Sequence, residues 1–229
     1  MRFLYLLIKR LFDIGCALLA LVVAIPLGVL VALGIEISDP GPVFYIAQRT
    51  TKDDRVFRML KFRSMRQGTA NESVFRGEED RIFPFGAFIR ATKLDELPQL
   101  LNILVGDMSI VGPRPASVHQ VQTTRGGRFA RTSRVQSGLT GPSALYDYLY
   151  GDKVRGEDDY VRDVLPYRLE LDLLYLDKQS LGFDLKMIWW TVVCIVCTVT
   201  GHWPERVFRE LMRWADEHRE KEERACSKN

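Results

Sequence analysis

The residues with the clearest chemical potential lie in one stretch, Thr92 to Pro115, which reads TKLDELPQLLNILVGDMSIVGPRP. It holds adjacent carboxylates, Asp95 and Glu96, directly before an apolar helical pattern. Leu97, Leu100, Leu101 and Leu104 recur at the spacing of one helical face. Pro98 is tolerated only in a first turn, so the helix is expected to start near Asp95, and Gly106 is a natural stop. A helix N-terminus keeps a carboxylate ionised and also attracts phosphate. An ionised aspartate beside a phosphate site can attack phosphorus or hold a metal ion. The structural alternative is a capping box over Thr92–Asp95, with Asp95 a helix cap and nothing more.

Cationic side chains surround this stretch. Lys61 and Arg63 are two residues apart near the end of an apparent strand, a spacing that puts both on one face. They are either a solvated strand edge or a pair aimed at a diphosphate. Arg90 lies shortly before Asp95 and is expected to face the same site. Arg114 is held between Pro113 and Pro115, and its guanidinium suits a bidentate grip on phosphate oxygens. Its alternative is an ion pair with Asp95, Glu96 or Asp107.

The elements that must position these groups begin with a membrane segment. An uncharged run from Ile14 to Ile35 follows Arg2, Lys9 and Arg10 and has the length of a bilayer-spanning helix. It is too long for a signal-peptide core, and no cleavage site follows it. Pro26 interrupts its middle and is expected to kink it, and basic residues flank both ends, so charge gives no crossing direction. After the turn cluster Asp39–Pro42, Val43–Gln48 and Val56–Phe62 read as two strands around a polar turn. Gln67 to Asp80 reads as a polar surface loop. Tyr160–Tyr175 reads as an amphipathic helix, and Phe183–Thr200, with Trp189 and Trp190, as an interfacial or a core helix. Tyr146, Tyr148 and Tyr150 are candidates for recognising a nucleotide or sugar. From Pro204 onward the chain is highly charged. One apolar side of its first half is expected to pack on the body or, in a homodimer, on a second copy, with the last dozen residues solvated and partly disordered.

Composition bounds the reading. The 229 residues suit one domain, or one domain with an appendage, and a net charge of +3 is too weak to argue for nucleic acid. Cys194 and Cys197 have CxxC spacing but lie in an apolar run without a second ligand pair, so they are expected to be small buried hydrophobes rather than a metal or redox site. Walker A, GxGxxG and zinc-ligand patterns are missing from the sequence.

The run LDELPQLLNILVGDMSIVGPRP, preceded by FGAFIR, with KFRSM at Lys61–Met65 upstream, resembles the signature of the bacterial sugar transferases, the monotopic polyprenyl-phosphate phosphoglycosyl transferases. The resemblance runs from about Lys9 to about Thr200. It implies a mostly helical α+β fold with an N-terminal re-entrant membrane helix bent at Pro26, where the residues alone suggest a spanning helix. A small β-hairpin and interfacial amphipathic helices would then surround a cytosolic catalytic site. The units would be 1–37 (re-entrant helix), 38–203 (catalytic domain) and 204–229 (charged helix or tail).

The implied reaction moves a sugar-1-phosphate from a UDP-sugar to a polyprenyl phosphate at the cytoplasmic face of the bacterial inner membrane. Asp95 would be the nucleophile, Glu96 a metal ligand or base, and both would bind Mg²⁺. Lys61, Arg63, Arg90 and Arg114 would contact phosphate. The three histidines lie outside the matched motifs, so carboxylates and cations are expected to carry the catalysis. Three departures stand out: Ile25 where the family often has Ser, a hairpin turn without Gly, and Ser137 where the family usually has Pro. The rival readings are a non-catalytic membrane adaptor and a metal-dependent phosphoryl transferase that uses another nucleotide donor.

Overall fold

A computed structural model describes residues 2–66, 81–151, 154 and 157–226; the Gln67–Asp80 loop expectation falls outside them. The architecture is mostly helical α+β with two small sheets. Helix α1 spans Arg2–Ser38 and continues through Pro26. Strands β1 (Phe44–Thr50) and β2 (Val56–Phe62) form the expected antiparallel hairpin, with β4 (Ala116–Ser117) paired on the other edge of β1. Asp53 and Asp54 take left-handed φ values of 56° and 55° and so make the turn that glycine makes elsewhere. Arg125 fixes the turn by donating to Asp54 Oδ1 (2.8 Å) and to the Thr51 carbonyl (2.6 Å).

Helix α2 (Pro84–Ala91) precedes a 3-10 turn, Leu94–Glu96, and then α3 (Gln99–Val105). A short strand β3 (Ser109–Val111) pairs in parallel with β5 (Gly138–Thr140), a sheet too short to read from the sequence. Helix α4 is Val121–Arg125, α5 Pro142–Leu149 and α6 Glu157–Asp159. The expected helix after Tyr160 opens with a π-helical turn, Tyr160–Val164, before α7, Leu165–Lys178. Helix α8 (Leu181–Val199) starts at Ser180, whose Oγ accepts the Phe183 N–H at 3.2 Å.

Helix α9 spans Glu205–Cys226, so the chain expected to be loose near its end is helical as far as Cys226. The apolar side of α9 packs on the body of the same chain, where Val207, Leu211, Trp214 and Ala215 are buried. Its buried His218 lies between α7 carboxylates, with Nδ1 3.0 Å from Glu170 Oε2 and Nε2 3.3 Å from Asp177 Oδ2.

Helix α1 is fixed to this body near both of its ends. Lys9 Nζ reaches Asp184 Oδ2 of α8 at 2.8 Å, and Arg10 donates to the Ile103 and Leu104 carbonyls at the C-terminus of α3 (2.6 and 2.8 Å). Asp13 accepts from Ser109 Oγ (2.7 Å) and from the Ile110 N–H (3.1 Å). At the far end, Val31 and Ile35 are buried with Phe62, Phe83 and Ile89. Leu18, Leu19, Val22, Val23, Ile25, Leu30 and Leu33 are exposed on the outer side of α1. On α8 the paired tryptophans divide: Trp190 is buried and stacks on Trp214 with ring centroids 5.1 Å apart, while Trp189 is exposed. Both α1 and α8 are long and apolar enough to cross a membrane.

Candidate active site

The carboxylates do not lie in an α-helical first turn. Thr92 ends α2 and its Oγ1 donates to the Phe88 carbonyl (2.8 Å), so the Thr92–Asp95 capping box does not form. Lys93 then adopts a left-handed φ of 60°, reversing the chain into the 3-10 turn that carries Asp95 and Glu96. The helix proper begins only after Pro98.

Its inner face is also rotated from the leucine pattern. Gln99, Leu100, Asn102 and Ile103 are buried, whereas Leu101 is exposed. The Asn102 amide sets this rotation: its Oδ1 accepts the Leu60 N–H (3.0 Å) and its Nδ2 donates to the Arg58 carbonyl (2.9 Å). An amide inside a leucine-rich helix looks like an interruption of the pattern. Here it bolts α3 to β2, one residue before Lys61, and so fixes the cation against the carboxylates.

Lys61 Nζ lies 3.0 Å from Glu96 Oε1 and 3.7 Å from Asp95 Oδ2. Lys93 Nζ lies 3.4 Å from the same Glu96 oxygen and 4.7 Å from the Tyr148 ring centroid. Asp95 is only 6% exposed, and its Oδ1 is buried without a hydrogen-bond partner among the described residues. Burial pushes the Asp95 carboxyl above the ordinary aspartate range and Glu96 adds to the push, while Lys61, Lys93 and Arg90 pull the other way. For Glu96 the cost of burial is outweighed by Lys61, Lys93 and Arg114, which hold it far below the ordinary glutamate range. Two adjacent carboxylates thus have divergent proton affinities, the arrangement by which a site gives like groups unlike roles.

The other expected site residues divide. The fields of Arg90 and Arg114 reach Asp95 and Glu96 respectively. Arg114 pairs with none of Asp95, Glu96 and Asp107; its Nη2 lies 2.9 Å from Asp147 Oδ2, and its backbone N–H donates to Asp172 Oδ1 at 3.1 Å. Arg63 turns away from the dyad, because its backbone leaves β2 at Phe62. Its guanidinium binds the carboxylate and carbonyl of Asp39 and the Pro42 carbonyl (2.6 Å), closing the turn between α1 and the body. The tyrosines divide too. Tyr146 is core, stacked on Phe208, whereas Tyr148 is beside the dyad and donates to the Ala91 carbonyl (2.6 Å).

The sequence reading missed Asp147, Tyr160 and Arg168, which converge on Arg114. Tyr160 donates to Asp147 Oδ1 (2.7 Å) and Arg168 Nη1 donates to the Tyr160 hydroxyl (2.6 Å). Against its burial, Arg114 and Arg168 hold Asp147 below the usual aspartate range. Nothing in the local pattern marks these residues, since they come from α5, the π-helical turn and α7.

Together these features form a compact carboxylate site ringed by cations, suited to binding a phosphorylated substrate and presenting a carboxylate to phosphorus. The sequence profile of the bacterial sugar transferases matches residues 4–198. The chain is 37% identical over 195 residues to the undecaprenyl-phosphate glucose phosphotransferase of Komagataeibacter xylinus, covering 80% of this chain and 35% of that protein. It is 36% identical over 191 residues to the UDP-glucose:undecaprenyl-phosphate glucose-1-phosphate transferase of Escherichia coli K12, covering 81% of this chain and 39% of that protein. Over 199 residues it is 35% identical to the exopolysaccharide production protein PSS of Rhizobium leguminosarum, covering 82% of this chain and 94% of that protein. The chain thus spans well under half the length of the first two relatives and nearly all of the third. With a profile match across most of its length around this site, the chain belongs to the bacterial sugar transferase family.

Proposed function

We propose that the protein transfers a sugar-1-phosphate from a UDP-sugar to polyprenyl phosphate, producing polyprenyl-diphosphate sugar and UMP. The observation that carries this reading is the buried Asp95 carboxylate, with one oxygen lacking a hydrogen-bond partner among the described residues and the other 3.7 Å from Lys61 Nζ. Asp95 attacks the sugar-bearing phosphorus, a new Asp95 oxygen–phosphorus bond forms, and the bond from that phosphorus to the UMP oxygen breaks. The lipid phosphate oxygen then attacks the phospho-aspartyl phosphorus and releases Asp95. Two displacements avoid bringing two anionic substrates together in one step.

Lys61 acts at two points. It opposes the burial that would keep Asp95 protonated, and it stabilises charge on the transferring group. Arg90 and Arg114 supply further positive field at the same place, and Glu96 stays ionised beside them. The orphan Asp95 oxygen and the adjacent Glu96 offer the hard oxygen ligands that Mg²⁺ takes. Bound there, Mg²⁺ would neutralise the diphosphate.

Membrane placement follows the same logic. Residues Lys9–Asp13 and Val31–Ile35 of α1 contact one body, with Pro26 between them and the outer side apolar. A 37-residue helix is about 55 Å long, well beyond a ~30 Å hydrocarbon core. Contact with one body near both ends favours a helix that enters and leaves from the cytoplasmic face of the inner membrane. The exposed Trp189 side of α8 would rest at the interface.

The test is UMP release from the full chain in nanodiscs with undecaprenyl phosphate, Mg²⁺ and a panel of UDP-sugars. UMP formed with one donor, lipid-dependent over multiple turnovers and lost in Asp95→Asn, is the expected result. Lipid-dependent turnover that survives Asp95→Asn would overturn the nucleophile.

A further inference from the structure

The hairpin register puts Tyr45, Ala47 and Arg49 of β1 on the same face as Lys61, Met59 and Phe57 of β2. Tyr45 is opposite Lys61, and Arg49 lies four residues farther along, roughly 13 Å of strand. The Lys61 end of this face meets the carboxylate dyad. The Arg49 end meets other cations.

Arg49 is half-buried, and among the described residues its guanidinium has neither an ion pair nor a hydrogen bond. Its charged neighbours among the described residues are Arg114 and Arg168, and their positive fields add to burial in lowering its pKa. Arg168 is 6% exposed and donates Nη1 to Tyr160, and its Nε has no hydrogen-bond partner among the described residues. The nearby carboxylates are already engaged. Asp147 takes Arg114 and Tyr160, and Asp172 takes the Arg114 N–H and the Ser143 hydroxyl. Arg49 therefore stands beside two other guanidiniums, and the carboxylates nearest them among the described residues leave its own charge without a counter-charge. A like-charge cluster held partly out of water is unfavourable until an anion completes it.

We propose that Arg49, with Arg168 and Arg114, forms a second phosphate-binding subsite on the hairpin face, distinct from the Lys61–Asp95 end. Arg114 joins the two ends, since its field reaches both Glu96 and Arg49. The ligand is a phosphate monoester, a group that both the departing nucleotide and the acceptor lipid present. This inference rests on the proposed transferase reading only for those two sources. Arg49 would hold the phosphate that is not being attacked while Lys61 faces the one that is.

The test titrates UMP and inorganic pyrophosphate into the full chain in nanodiscs, for wild type, Arg49→Gln and Arg49→Lys, with melting temperatures as the folding check. A charge-assisted contact is expected to be worth about ten- to a hundredfold in affinity, lost in Arg49→Gln and partly kept in Arg49→Lys. Equal affinities in all three proteins would overturn the subsite, as would a wild type that binds neither anion. If Arg49→Gln does not fold, Arg49→Lys carries the test: it keeps the charge but loses the planar fork, so weaker binding is expected and unchanged binding refutes.

KM values distinguish the sources. A rise for the UDP-sugar alone assigns the subsite to the nucleotide phosphate, a rise for polyprenyl phosphate alone assigns it to the lipid, and no rise in either refutes it. Arg49-dependent anion binding without UMP release from any donor would uphold the subsite and sink the transferase reading. Turnover with Arg49-independent binding would do the reverse.

Discussion

Asp95 and Glu96 are adjacent in sequence, yet burial and the neighbouring lysines move them in opposite directions, and stability should register this. Because the folded-state pKa of Asp95 is raised, the folded protein holds that proton to higher pH than the unfolded chain does. Stability therefore falls as pH rises between the two values. Asp95→Asn removes this loss. Its melting temperature should exceed that of wild type at pH 7, and the gap should close as pH falls below the ordinary aspartate range. Glu96 has the opposite sign. Its pKa is lowered on folding, so its contribution is fully present above the unfolded value and is lost as pH falls through the folded one. Glu96→Gln should melt below wild type at pH 7. Parallel melting curves for wild type and both variants across pH would contradict the divergent environments. In turnover, Asp95→Asn should lose at least about a thousandfold, the scale on which removal of a nucleophile is felt. A chelator should stop the wild type if Asp95 and Glu96 hold Mg²⁺, and UMP release that persists in excess chelator would remove the metal from the reaction.

At the scale of elements, the dyad is positioned by two joints, one polar and one steric. Asn102 is the polar joint: its amide satisfies a donor and an acceptor of β2. Asn102→Leu would keep a helix-compatible, apolar side chain but leave the Leu60 N–H and Arg58 carbonyl unpaired, at about 1–3 kcal/mol for each group that stays buried. Because Lys61 follows Leu60, kcat should fall along with stability, whereas a purely packing role would lower stability alone. The steric joint is the β3–β5 pair, where a Cβ on Gly138 would lie 2.1 Å from the Gly112 backbone nitrogen. Gly138→Ala should part the strands, displace the Gly112–Pro115 loop and raise the KM of the donor through Arg114, a shift that steady-state kinetics would read. The sequence displays the glycines of both motifs but not their contact, because the pairing is non-local. Likewise it displays Lys61 and the dyad. The burial of Asn102, the left-handed Lys93 and the turning of Arg63 toward Asp39 come from tertiary constraints that no local period encodes. The same holds for Asp147, Tyr160 and Arg168, each unremarkable in its own segment.

Across the whole molecule, α1 and the rest of the fold are joined by buried charge rather than by apolar contact alone. Lys9 of α1 is 7% exposed, and it lies 2.8 Å from Asp184 of α8 and 3.7 Å from Asp13. Tyr175 stands 3.1 Å from Asp184 Oδ1, and its hydroxyl donates to the Val111 carbonyl at 2.9 Å. Asp13 in turn holds the start of β3, whose C-terminal end leads to the Arg114 loop. A continuous polar chain therefore runs from the membrane segment to a strand of the site. Lys9→Met leaves two buried carboxylates without their cation, and removal of one partner of a buried pair costs about 3–5 kcal/mol. Lys9→Met should thus lower the melting temperature in nanodiscs sharply and should also reduce kcat, since β3 loses its brace. Adding Asp184→Asn removes one stranded charge, so the double variant should recover part of the stability. A double variant whose loss equals the sum of the two single losses would show that Lys9 and Asp184 act independently, and their ion pair would then not be what joins α1 to the body.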